Sequence, residues 1–255
     1  MKTINIIIHG LGRLGSSIAN LASEGFCQVV YAVDNEVDEG TFTFPTYKNF
    51  DKKEEGSVIV DASHPGAILA LLDAGLKSNT PIVICTTGMC QSTIESIYEA
   101  SKVIPIFLSS NMSLGVSLQS ELAVYATKVL GSKNFDIEIV EAHHSQKLDA
   151  PSGTAITLAN SINAAADGIY NIVFDRSKNL AKRGADEIGV VSVRGGSIVG
   201  EHKVIFAGAD EVIEITHRAY SRDIFARGAL AAARFLHDKK AGLYTMADLL
   251  EAGGA

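Results

Sequence analysis

Short apolar runs alternate with helical patterns through the first part of the chain. Ile4–Ile8, Val29–Val33, Val58–Val60, Ile82–Ile84 and Ile104–Leu108 carry few polar residues, which predicts strands buried on both faces. Between them, apolar positions recur at helical spacing from Leu14 to about Ala22, from about Pro65 to Leu76, and from Thr93 to Ala100. Strands of that kind joined by helices imply a parallel sheet with right-handed crossovers. The interval Val37–Glu55 is polar and irregular and predicts no element.

After Asn111 the texture changes. A long helical pattern, Val116–Leu130, leads into a strand-like run, Phe135–Val140, then a polar segment, then a helix over Ala155–Ala166. Three further strands are expected at Gly189–Val193, Lys203–Phe206 and Val212–Thr216, linked by the turn-forming Arg194-Gly-Gly-Ser and Ala207-Gly-Ala-Asp. Turn-length links favour an antiparallel or mixed sheet with helices on one face. Ile224–Leu236 is Ala-rich and helical, and Met246–Leu250 reads as a final short helix. The expectation is an α/β protein of two domains. A Rossmann-type parallel sheet takes residues 1–112 and 219–255, and an α+β domain with a mixed open sheet takes 113–218.

The chain has 255 residues, ample for a buried core, and its 47% hydrophobic content argues against disorder. A net charge of −7 disfavours nucleic acid or an anionic membrane as a general partner. No apolar run approaches the roughly 20 residues that span a bilayer. The start, Met1-Lys-Thr-Ile-Asn-Ile-Ile-Ile8, runs into His9-Gly-Leu-Gly, so it reads as a first strand and not a secretion signal. Cys27, Cys85 and Cys90 are odd in number and fit no metal or redox spacing, so small-residue packing and a reducing cytoplasm are expected. No metal site is expected.

Two segments carry chemistry. Gly10-Leu-Gly12-Arg-Leu-Gly15 lies between the first strand and the first helix, the setting that a dinucleotide glycine turn requires. Glycines allow close approach of a pyrophosphate, and the helix N-terminus at Arg13 and Leu14 favours its charge. Asp34 closes the second strand roughly 20 residues on, where a carboxylate meets the ribose hydroxyls. Asp34 would repel the 2′-phosphate of NADPH, and Asn35 and Glu36 offer no cation against it. Arg13 is the nearby cation that can partly offset the repulsion. NADH is therefore the expected coenzyme, ahead of NADPH. Cys85, Thr86 and Thr87 follow the fourth strand, and Ser109, Ser110, Asn111 and Met112 the fifth. Both groups either line the nicotinamide or serve as turn and cap residues.

The second segment is Glu141-Ala-His-His-Ser-Gln-Lys-Leu-Asp-Ala-Pro-Ser-Gly-Thr-Ala155. Burying so many titratable groups unpaired would cost several kcal/mol each, so a site is favoured over core. Ser152 is placed to cap the following helix, whose first amides, at Gly153 and Thr154, can hold a carboxylate with the Thr154 hydroxyl. Lys147 adds positive charge, and His143 and His144 add groups that exchange protons near neutrality.

This segment closely resembles the signature of the dihydrodipicolinate reductase family of bacterial lysine and diaminopimelate biosynthesis. Gly12-Arg-Leu-Gly15, Thr86-Thr-Gly88, Ser110–Val116, Arg194–His202 and His217–Arg222 extend the resemblance over nearly the whole chain. It implies reduction of 4-hydroxy-tetrahydrodipicolinate to tetrahydrodipicolinate by NAD(P)H with loss of water. His143 matches the acid/base histidine and Lys147 the proton donor. His144, Gly153 and Thr154 match substrate-binding positions, and Arg222 is carried over as a substrate or interdomain residue. Asp34, Cys85–Thr87 and Ser109–Met112 match coenzyme contacts. The resemblance also implies a cyclic dicarboxylate substrate and a homotetramer built through the second sheet; because the two sites lie in separate domains, closure is expected at hinges near Asn111–Val116 and Ala219–Ser221. Three positions depart from the family pattern: the glycine turn is one residue shorter than the common form, Cys85 stands where glycine is common, and Asn35 replaces a frequent basic residue. The rival readings are another two-domain dehydrogenase and a non-catalytic nucleotide-binding redox sensor.

Overall fold

The computed structural model describes residues 3–37, 40–50, 52, 55–131, 134–174, 176–177 and 180–254. Met1 and Lys2 of the N-terminal run lie outside them, as do Asp38, Glu39, Asp51, Lys53 and Glu54 of the unassigned interval. The chain divides into two compact units, Met1–Leu114 with Asp223–Ala255, and Gly115–Arg222.

The first unit is built on strands β1 (Ile4–His9), β2 (Cys27–Val33), β3 (Thr46–Tyr47), β4 (Ser57–Asp61), β5 (Ile82–Ile84), β6 (Pro105–Leu108) and β12 (Gly242–Tyr244). They form one parallel sheet in the order β12-β6-β5-β4-β1-β2-β3. The apolar runs have a direct cause. Ile4, Ile6 and Ile8 of β1 face a core shared with helices α1 (Arg13–Ala22), α6 (Asp223–Leu236) and α7 (Met246–Glu251), while Ile7 faces a second core with α2 (Ile68–Ser78) and α3 (Gln91–Ser101). The strand order reverses direction between β4 and β1, and in open α/β sheets ligands bind at such a switch point, beyond the carboxyl ends of the strands. β3 falls inside the interval that predicted nothing, and with two residues it is too short to leave a pattern.

The second unit holds α4 (Leu114–Leu130, its first residue at the boundary), β7 (Asp136–His143), α5 (Gly153–Ala165), β8 (Asn171–Val173), β9 (Glu187–Arg194), β10 (Gly200–Ala207) and β11 (Val212–Ala219). Its sheet runs β11-β10-β7-β9-β8 and is mixed: β10 is antiparallel to β11 and β7, whereas β7, β9 and β8 are parallel. β9 and β10, consecutive in sequence, are therefore not partners, because β7 lies between them. α4 and α5 pack on one face over Ile137, Ile139, Ile188, Val190, Val204 and Phe206. The opposite face has no helix among the described elements and leaves Val191 50% and Val193 45% exposed. β7 runs past the expected end at Val140, because Ala142 and His143 pair with Val193 and Arg194. Glu141 and His143 are thus strand residues on the helix-covered face. No described helix is long and apolar enough to cross a membrane.

Candidate active site

Cross-strand register gathers the polar groups of the second unit. Glu141 on β7 lies opposite Ser192 on β9 and His202 on β10, and His202 lies opposite His217 on β11. Glu141 is fully buried. Its carboxylate receives both terminal nitrogens of Arg194, at 2.8 and 2.7 Å, and the amide of Ser152 at 3.1 Å. Burial alone would raise this carboxyl, but Arg194, then Ser192, His143 and the Ser152 amide outweigh it and bring it down to about 2. The group is therefore an anion at any working pH.

That anion orients His143. The imidazole Nδ1 stands 2.6 Å from the Glu141 carboxylate, so a neutral ring donates its Nδ1 proton there and keeps Nε2 for exchange. Burial pushes the His143 pKa down, and the neighbouring carboxylate only partly restores it. Gly200 makes the arrangement possible, since a Cβ there would stand 3.1 Å from His143 Nε2. His202 meets His143 edge to face, with ring centroids 5.2 Å apart, and burial, followed by the charge of its neighbours, holds its pKa at about 4.

The loop after β7 supplies the remaining groups. Lys147 pairs with Asp149 at 2.8 Å, which keeps the Asp149 carboxyl below its usual range. Ser152 caps α5, its hydroxyl accepting from the Ala155 amide at 3.2 Å and lying 2.9 Å from His202 Nε2. Gly153, exposed, and Thr154, half-buried, form the first turn of α5. His144 Nε2 lies 3.3 Å from the exposed Arg222. The sequence alone gives Glu141, Arg194 and His202 no role. What marks them is their spacing: Glu141 sits two residues before His143 on one strand, and Arg194 and His202 flank a turn that brings both back to it.

The nucleotide candidates lie in the first unit. Gly10 has φ +87°, and a Cβ there would stand 2.8 Å from the Ser63 Cα and 2.9 Å from the Ala62 carbonyl. Only glycine fits there. A Cβ at Gly12 would meet nothing within 4 Å, so that side of the turn is open to a ligand. Gly15 is buried against the Gly10 carbonyl, Leu14 is half-buried, and Arg13 is exposed at the start of α1. Asp34 accepts from the Leu11 amide at 2.7 Å through one oxygen and from the amides of Glu36 and Val37 through the other. Burial opposes ionisation of Asp34, but these amides win and lower its pKa. A cleft of about 830 Å³ runs past His9, Gly10, Gly12, Asp34, Lys48 and Ser63.

At the ends of β5 and β6 the groups divide. Cys85 and Met112 are buried in the core, Thr86 is buried, and Thr87 and Ser110 are exposed. The Thr86 hydroxyl oxygen is buried without a hydrogen-bond partner among the described residues. The Ser109 hydroxyl donates to the Asn111 carbonyl at 2.7 Å and accepts its amide, and the Asn111 side chain accepts from the Ser113 amide, so turn chemistry is present here. Packing accounts for Cys27 and Cys85, whose thiols burial pushes upward. It does not account for Cys90, which is exposed, with its thiol lowered to about 7 by hydrogen bonds from Ser92 and Thr93. The shared packing role expected of the cysteines is thus corrected for Cys90. It sits at the start of α3, where no core reaches it.

These residues would fit a nicotinamide nucleotide: an open glycine turn ahead of a helix N-terminus, a carboxylate at the end of β2, and an unsatisfied hydroxyl at the end of β5. The family profile "Dihydrodipicolinate reductase, N-terminus" matches residues 4–112, and its C-terminal counterpart matches residues 115–250. The chain belongs to the dihydrodipicolinate reductase family. Within that family it is 47% identical over 254 residues to the 4-hydroxy-tetrahydrodipicolinate reductase of Caldanaerobacter subterraneus subsp. tengcongensis, covering 98% of this chain and 99% of the relative. It is 42% identical to the Clostridium novyi enzyme of the same name, with 96% and 98% covered. The fold resembles that of the dipicolinate-bound dihydrodipicolinate reductase of Paenisporosarcina sp. TG-14, with a TM-score of 0.80 over 95% of this chain and 97% of that one, at 22% identity.

Proposed function

We infer that the chain is an NAD(P)H-dependent oxidoreductase that reduces 4-hydroxy-tetrahydrodipicolinate to tetrahydrodipicolinate, with loss of water, in lysine and diaminopimelate biosynthesis. The observation that carries the chemistry is the Arg194–Glu141–His143 chain beside Lys147 and the capped start of α5. The coenzyme supplies a hydride to the conjugated carbon–nitrogen system when bound. As negative charge develops there, a cationic donor close by must neutralise it, and Lys147 is that donor. His143, held by Glu141, exchanges the proton that restores Lys147 or leaves with water. The amides of Gly153 and Thr154, with the Thr154 hydroxyl, hold one substrate carboxylate. His144 and Arg222 hold the other. The substrate is a small cyclic dicarboxylate; the Paenisporosarcina relative, of similar fold, binds dipicolinate.

NADH is the proposed coenzyme, through Asp34 on the ribose hydroxyls. Gly10, Gly12, Arg13, Leu14 and Gly15 take the pyrophosphate, and Cys85, Thr86, Thr87 and Ser109 to Met112 the nicotinamide end, partly through backbone atoms. The bare face of the second sheet supports a homotetramer: Val140, Val191, Val193, Ile205 and Val212 project from it between the Lys203–Glu214 and Arg218–Glu201 pairs, and an exposed apolar face of a sheet is an association surface. A cytoplasmic location goes with this chemistry. The test is NADH oxidation in the presence of the condensation product of pyruvate and aspartate semialdehyde. Turnover that requires this product supports the reading; oxidation indifferent to it, or none, contradicts it.

A further inference from the structure

The end of β2 carries a cation that the linear sequence hides. β3 pairs with β2 in parallel, Val33 opposite Tyr47, and the Asp34 amide donates to the Tyr47 carbonyl at 3.0 Å. That register sets Lys48, the next residue, alongside Asp34. The Lys48 ammonium donates to the Asn35 carbonyl at 2.7 Å and the Val37 carbonyl at 3.3 Å. It is exposed and lines the same cleft as Gly10, Gly12, Asp34 and Asn35. Its charge contributes to lowering the Asp34 pKa, after the backbone amides.

The carboxylate itself is restrained. Both Asp34 oxygens already accept backbone amides, one from the glycine turn and the other from the turn after β2. An anion so compensated repels a neighbouring phosphate less than a bare carboxylate would. Among the described residues two neutral carbonyls hold the ammonium in position without neutralising it, which leaves its charge available to a ligand.

We propose that Lys48 is a specificity-determining residue that receives the 2′-phosphate of NADPH, so that this site takes both nicotinamide coenzymes. The proposal rests on the coenzyme reading above and deepens it. Asp34 serves the ribose hydroxyl of NADH, and Lys48 serves the phosphate that replaces that hydroxyl in NADPH. The cation thus comes from β3 and not from the position after the acid, where Asn35 stands.

The test is coenzyme binding alone, measured by quenching of reduced-nicotinamide fluorescence on the full chain, for the wild type, Lys48→Met and Lys48→Arg. Wild type should bind NADH the more tightly and should also bind NADPH. Lys48→Met should weaken NADPH about tenfold, the scale of a lost charge-assisted hydrogen bond, and leave NADH within about twofold on the same scale. Lys48→Arg should keep NADPH binding, because the charge is retained. Salt should weaken NADPH more than NADH in the wild type and equally in Lys48→Met. Wild type that binds NADH but rejects NADPH overturns the proposal, as does a Lys48→Met variant that loses both coenzymes equally or neither. Failure of the wild type to bind NADH would instead overturn the coenzyme reading itself.

Discussion

Lys147 and Glu141 are charged neighbours of one imidazole, yet their removal should read differently. Lys147 touches substrate in the proposed mechanism, so Lys147→Ala should lower kcat by about 10²- to 10⁴-fold, the usual scale of a proton donor. NADH affinity should stay unchanged, as fluorescence titration would check. Glu141 acts through His143. Its carboxylate raises the His143 pKa against the burial that lowers it, so Glu141→Gln should move the His143 limb of the kcat–pH profile further to the acid side. KM for the dicarboxylate should change little while kcat falls about tenfold or more. An unmoved pH profile would make Glu141 a packing residue only. Arg194 is the counter-charge: Arg194→Met strands a buried carboxylate and should cost roughly 3–5 kcal/mol in chemical denaturation.

The strands and their register set how the fold responds to acid. His202 is lowered from 6.5 to about 4. The unfolded chain therefore takes up this proton near pH 6.5, while the folded chain resists until about pH 4. This stability is complete above pH 6.5 and is lost as pH falls towards 4. Glu141, lowered from 4.5 to about 2, adds a second loss that begins below pH 4.5. Tm should thus fall between pH 6.5 and 4.5, and His202→Gln should flatten that slope; an unchanged slope would remove His202 as the cause. At this scale much was legible beforehand. The strands of the first sheet announce themselves because both faces are buried, which leaves continuous apolar runs. β7 outruns its apolar pattern because Glu141 and His143 near its end are polar; the pairing of Glu141 with Arg194 and of His143 with Glu141 lets both fit a core face. Lys48 escaped because a two-residue strand has no periodicity, and only pairing with β2 gives it a place. The Ser152 cap is legible in the sequence because it acts on an amide only three residues away.

For the whole molecule, both matched halves belong to one reductase family, the N-terminal profile over residues 4–112 and the C-terminal profile over 115–250. In the proposed homotetramer the apolar outer face of the second sheet is the association surface. Val191→Lys with Val193→Glu should convert a homotetramer to smaller species in sedimentation velocity, since each change puts charge on a face that would otherwise be buried. Retained tetramer would place the interface elsewhere. In the proposed function the two halves serve one reductive reaction on one cyclic dicarboxylate. The most direct test is NADH consumption with the freshly formed condensation product of pyruvate and aspartate semialdehyde, compared between wild type and Lys147→Ala. Oxidation in the wild type should depend on that substrate and should fall by orders of magnitude in the variant while NADH still binds. Oxidation independent of that substrate, or equal in both proteins, would contradict the proposed function.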